Sequence, residues 1–163
     1  MHSQESPTAL TLGDPATVIA LPSRLKVVLG ATSIGLPSQI HSESPQAHVV
    51  IPTHTTRHLL RTLLGYATQT CPPTTITVSC DTDDPEIGKL LENFVRNHRT
   101  ELTHVFRAKP PEARRSQTRN NGVRSLLERG LEEKDLLIFV DGDCIPAVDF
   151  VERHLEKARS RDF

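Results

Sequence analysis

Apolar positions along this chain recur in two rhythms, and the two take turns from about Ala47 onward. Val49-Val-Ile51 is a short aliphatic run closed by Pro52, which fits a first strand ending at a loop. Thr53-His-Thr-Thr56 supplies N-cap residues for a helix, and Leu59, Leu60, Leu63, Leu64 and Ala67 fall on one of its faces. Cys71-Pro-Pro73 ends that helix, because neither proline continues the hydrogen-bond ladder. Thr75-Ile-Thr-Val-Ser79 is β-branched and reads as a second strand. Pro85 suits a first helical position, and Ile87, Leu90, Leu91, Phe94 and Val95 make the stripe of a second helix. Leu102–Phe106 is a short third strand, followed by a basic, proline-interrupted loop from Arg107 to Arg115. Ser116 or Thr118 opens a third helix carrying Val123, Leu126 and Leu127, with Gly130 just past its end. Leu136-Leu-Ile-Phe-Val140 is apolar throughout and predicts a strand buried on both faces, as a central parallel strand is. A last helix presents Phe150, Val151, Leu155 and Ala158. Strand and helix alternating four times predicts an α/β fold: a Rossmann-like parallel sheet, right-handed crossovers, helices on both faces.

The first 46 residues lack this regularity. Ser, Thr, Pro and Gly are scattered through them, and the apolar patches at Val18–Leu21 and Leu25–Leu29 are broken by Pro22, Arg24 and Lys26. The expectation is a disordered N-terminal extension over 1–46 and a folded domain over 47–163. Glu5 precedes any Lys or Arg, which is not the order of a secretory signal. No apolar run reaches the ~18 residues that a membrane span requires.

Composition changes the picture little. Of 163 residues, 36% are apolar and only 4% aromatic with no Trp, so the core must be aliphatic. A net charge of −1 gives no reason to expect a nucleic-acid partner. The positive charge is nevertheless concentrated. Between Arg96 and Arg129 nine Lys or Arg stand against three Glu, which either serves a phosphate-bearing ligand or is a solvated face. Cys71, Cys80 and Cys144 have no metal-ligand spacing, and their odd number fits a reducing, cytoplasmic location.

The chemistry gathers where the last strand stops, at Asp141-Gly-Asp-Cys-Ile-Pro146. In an open α/β sheet, ligands bind in the crevice outside the carboxyl ends of the strands. Two carboxylates there are hard oxygen ligands for a divalent metal, and Gly142 permits the backbone to turn between them. The plain alternative is an Asp-Gly surface turn. His54, His58, His98, His104 and His154 lack ligand spacing and read as structural or surface residues. Cys144 reads as a small buried residue, Arg114 and Arg115 as solvated. Asp83 and Asp84 read equally as helix caps and as nucleotide contacts.

Five segments occur in one order: Val49-Val-Ile-Pro-Thr-His54, Gln69-Thr-Cys-Pro-Pro73, Val78-Ser-Cys-Asp-Thr-Asp-Asp84, Thr118-Arg-Asn-Asn-Gly122 and Phe139-Val-Asp-Gly-Asp-Cys-Ile-Pro146. This series, about 100 residues from Ala47 to Ile145 and a little beyond, resembles the nucleotide-sugar-binding half of family 2 glycosyltransferases, whose fold is called GT-A. The resemblance implies Pro52 and Thr53 beside the nucleotide base. It implies Asp81 as acceptor for the uracil ring, with Asp83 the alternative, and Arg119 as a further nucleotide contact. Asp141 and Asp143, the DXD motif of that family, would contact the ribose and hold the Mn²⁺ or Mg²⁺ that bridges the diphosphate, Asp143 being the usual ligand. The implied partners are a nucleotide-sugar, UDP-sugar favoured, and a sugar, lipid or protein acceptor, at a cytoplasmic site or the cytoplasmic membrane surface.

Two positions depart from the pattern. Thr55 stands where many members carry Asn, and Cys80-Asp81-Thr82-Asp83 replaces the usual Asp-Asp-Gly-Ser. Members also place the acceptor site and catalytic base further along than Phe163. The expectation is therefore a donor-binding half, with the base beyond the C-terminus. The rivals are a non-catalytic nucleotide-binding fragment and a haloacid-dehalogenase-type phosphohydrolase with Asp141 as nucleophile.

Overall fold

The computed structural model describes residues 19–20, 25–29, 44–106 and 115–160. Its sheet contains β1 (Ile19–Ala20), β2 (Leu25–Leu29), β3 (Ala47–Thr53), β4 (Thr75–Cys80), β5 (Leu102–Phe106) and β6 (Leu136–Phe139), in the order β1-β2-β5-β4-β3-β6. Between them run α1 (Leu59–Ala67), α2 (Pro85–Asn97) and α3 (Arg115–Leu127), and α4 (Phe150–Ser160) follows β6. β3, β4, β5 and β6 are parallel, as the alternation of strand and helix requires.

Alternation along the strands sorts their residues onto two faces. Val49 and Ile51 of β3, Ile76 and Val78 of β4, Leu102 of β5 and Ile138 of β6 enter one aliphatic core under α1, α2 and α4. α2 supplies Ile87, Leu91, Phe94 and Val95 to it, the stripe read from sequence, and Asp84 caps its start by accepting from the Glu86 amide at 3.0 Å. Among the described residues the opposite face carries α3. There Gly122 lets the helix settle onto the sheet, since a Cβ at that position would stand 2.7 Å from Val50 Cγ1.

Four expectations are corrected. Within the expected disordered extension, β1 and β2 are strands, and β2 pairs parallel with β5 from Leu25↔Leu102 to Leu29↔Phe106. Leu25-Lys-Val-Val-Leu29 keeps enough apolar positions for a strand one place in from the sheet edge, where the two-residue β1 pairs with it at Val27 and Lys26. Its remaining residues up to 43, like most of the basic loop at 107–114, lie outside the described residues.

β6 is an edge strand, not a central one. It pairs with β3 alone, Ile138 is buried, and Phe139 is 45% exposed. A continuous apolar run identifies a strand but not its neighbours.

α1 is rotated from its expected face. Leu59, Thr62, Leu63 and Tyr66 are buried, while Leu60 and Leu64 point outward. α3 starts at Arg115 and buries Thr118, Gly122, Ser125 and Leu126, leaving Leu127 exposed. Small or polar residues share the contact face, Thr62 in α1 and Thr118, Gly122 and Ser125 in α3, and a count of apolar positions misplaces it.

At the amino end of the sheet a polar network joins β3, β4, β5 and the turn before β6. Asp135 accepts the Gln46 amide and the Glu132 amide, each at 3.0 Å, and lies 3.5 Å from His48 Nε2. His48 Nδ1 meets Thr75 Oγ1 at 2.9 Å, and Arg129 donates to Thr103 Oγ1 and Glu101.

Candidate functional site

The chain leaves β3 toward β4 and β5, then returns to lay β6 on the other side of β3. The crevice between the carboxyl ends of β3 and β6 is thus the topological switch point, where open α/β sheets take their ligands. Pro52 helps to open it. The carbonyls of Gln46 and Val50 are bonded from the β6 side and those of Ala47 and Thr53 from the β4 side, so alternation turns the Pro52 nitrogen toward β6. β6 has already ended there, and the missing N–H costs no ladder bond.

A cleft of about 530 Å³ lies over this point, and the sequence-nominated residues Pro52, Thr53, Asp81, Arg119, Asp141 and Asp143 all line it. They arrive from the end of β3, the end of β4, the second turn of α3 and the turn after β6. Between Asp81 and Asp83, the cleft takes Asp81, and Asp84 is the cap of α2. Residues not nominated also line the cleft: His54, Thr55, Arg57, His58, Arg115, Thr118 and Gly142. Arg57 carried no sequence signal beyond following the first strand. Arg115, read as solvated, is drawn in because α3 starts one residue before Ser116.

Three arginines, Arg57, Arg115 and Arg119, therefore line the same cleft as Asp81, Asp141 and Asp143. Arg119 donates to Asp141 Oδ1 at 3.1 Å across it, and both side chains stay at least half exposed. α3 begins at the cleft, so its positive helix end adds to the potential that the arginines create.

The carboxylate turn is tightly built although its side chains are exposed. The Cys144 amide donates to the Asp141 carbonyl at 3.1 Å, closing a four-residue turn. Gly142 does not take the left-handed conformation; among the described residues Gly130, at φ 86°, is the glycine that does. Space is what the turn requires of Gly142, where a Cβ would stand 3.0 Å from Thr53 Oγ1. Cys144 is exposed rather than buried, because the turn projects it outward. Desolvation and the neighbouring Asp143 and Asp141 carboxylates raise its thiol pKa, away from the thiolate a nucleophile requires.

Below the cleft floor, His104 Nε2 and Cys80 Sγ meet at 3.3 Å. Burial lowers the imidazole to about 4, and burial followed by the Asp84 charge pushes the thiol up to about 12. Both are neutral near pH 7, and the pair is a packing contact rather than a base beside a nucleophile.

Asp141 and Asp143 suit a hard divalent cation. Among the described residues no cluster of three or more His, Cys, Asp or Glu forms a metal site. One or two carboxylates completed by water and phosphate oxygens is how Mg²⁺ is commonly held on a polyphosphate. The donor set thus fits a metal that arrives with a phosphate ligand. Among the described residues no helix is long and apolar enough to cross a membrane. Comparison with protein-family models and with characterised proteins finds no match to this chain.

Proposed function

We propose that the cleft binds a nucleotide-sugar through its diphosphate and a Mg²⁺ or Mn²⁺, as the donor site of a family 2-like glycosyltransferase. One observation carries the reading. Six residues nominated from short motifs that span about ninety positions converge on a single cleft at the switch point of the sheet.

The roles follow from charge and position. Asp141 and Asp143 hold the metal, which when bound neutralises the negative charge that grows on a diphosphate leaving group. Arg119 supplies positive charge to the same phosphates, helped by Arg115 and the start of α3. Thr53 and Pro52 form the wall for the base, and the Asp81 carboxylate accepts from a ring N–H such as that of uracil.

Calorimetry with UDP, GDP and their sugars, with and without Mn²⁺, tests the assignment. We expect metal-dependent UDP binding that Asp143→Ala abolishes while the protein stays folded. Well-folded wild-type protein that binds no nucleotide would refute the proposal.

A further inference from the structure

α1 and the residues just past its end present one line of contacts to the segment that carries the carboxylates. Thr62 Oγ1 donates to the Gly142 carbonyl at 3.0 Å. At Gly65 a Cβ would stand 2.7 Å from Pro146 Cδ, so only glycine lets the segment pass. Tyr66 meets the Phe150 ring edge-on at 6.4 Å. Gln69 donates to the Ala147 carbonyl at 2.6 Å and accepts the Val151 amide at 3.0 Å. Positions 62, 65 and 66 are i, i+3 and i+4 on one face of α1, and Gln69 follows just past its C-cap Thr68. The helix thus guides the chain from Gly142 to Val151.

Thr62 is the member of this line that touches the carboxylate turn itself. It is fully buried in the middle of α1, where a threonine has lower helix propensity than alanine. Its hydroxyl lies 3.5 Å from the His58 carbonyl, the usual back-bond within a helix, and the shorter 3.0 Å bond goes to Gly142. The Gly142 carbonyl belongs to the peptide plane that joins Gly142 to Asp143. Holding it sets the direction in which the Asp143 side chain leaves the backbone. Thr53 packs against Gly142 from the β3 side, so the turn is gripped between two threonines.

We infer that Thr62 is a positioning residue for the Asp141–Asp143 pair, acting through the Gly142 carbonyl; the inference rests on the metal–nucleotide reading of the cleft. Thr62→Val keeps the shape and removes the donor. It weakens Mn²⁺-dependent UDP binding about tenfold or more, the range seen when partners behind metal ligands are lost. Thr62→Ser restores the affinity.

Thr103→Val, a buried threonine at the other end of the sheet, is the control. It lowers the thermal midpoint but leaves the affinity unchanged, so simple destabilisation is distinguished from positioning. Hydrogen exchange at the Cys144 amide, faster in Thr62→Val than in Thr103→Val, reports the turn without any ligand. Wild-type binding retained in Thr62→Val, or an equal loss in Thr103→Val, would overturn the inference and leave the donor-site reading standing. Absence of metal-dependent binding in the wild type would overturn both.

Discussion

At the amino end of the sheet, Asp135 uses its carboxylate oxygens on two backbone amides and lies beside His48, with its side chain only 6% exposed. At the carboxyl end, Asp141 holds one arginine and remains 63% exposed. Asp, Arg, Thr and His occur at both ends. Buried beside β3, Asp135 helps to clamp the strands together; Asp141 stands exposed at the crevice. Residue type alone does not separate structure from function here. Burial and partner count do.

The sharpest way to break this comparison is Asp135→Ala. It leaves the Gln46 and Glu132 amides without their acceptor and His48 without the neighbouring carboxylate, which we expect to cost about 3 kcal/mol in urea unfolding. Metal-dependent UDP binding by the folded protein stays at the wild-type level. A large loss of affinity would mean that the two ends are coupled.

Acid strikes the buried histidines next. Burial lowers His104 to about 4 and lowers His48 despite the opposing pull of Asp135. The unfolded chain, with histidines near ~6.5, binds these protons first, so their contribution is present above that pH and is lost as pH falls toward about 4. For His104 the full shift amounts to roughly 3 kcal/mol. Denaturant midpoints at pH 7 and 4.5 measure the loss, and His104→Gln should flatten it. An unchanged slope in that variant would remove His104 from the explanation.

Two arginines give a matched pair. Arg129→Met breaks a part-buried bond to Thr103 and an exposed ion pair with Glu101 and should cost about 1 kcal/mol without changing ligand affinity. Arg119→Met removes an exposed ion pair and should change stability by less than ~0.5 kcal/mol. It should also weaken Mn²⁺–UDP binding about tenfold, the scale of a lost charge-assisted phosphate contact. Reversed results would invert the assignment of the two ends. Phe139→Ser on the open edge strand should cost only about 1 kcal/mol, because the residue is already 45% exposed.

The parallel sheet and its helices were legible because β-branched runs and helical stripes alternate cleanly after Ala47. The cleft was legible because its residues sit in short motifs at the ends of strands, where topology gathers them. Other features leave no local trace. Leu60 and Leu64 look like core residues but face outward, while Thr62 and Gln69 look like surface residues but are buried. Only the path of residues 142–151 over α1 decides between those orientations. The amino-end network is equally hidden, since Gln46, Thr75, Glu101 and Asp135 share no periodicity. Leu25–Leu29 was obscured by the charges within and beside it, and its pairing with β5 more than seventy residues away leaves no local trace.

The placement of β6 also has a kinetic consequence. Its leading contact joins the Gln46 amide to Asp135, 89 residues apart in sequence. Closing so long a loop carries an entropic cost that is recovered only when the intervening β4 and β5 already give β3 a surface to build on. We therefore expect the turn bearing Asp141 and Asp143 to be completed among the last parts of the domain. Refolding followed by Mn²⁺–UDP binding should lag behind refolding followed by helix signal, which makes ligand binding a clock for the final step of folding.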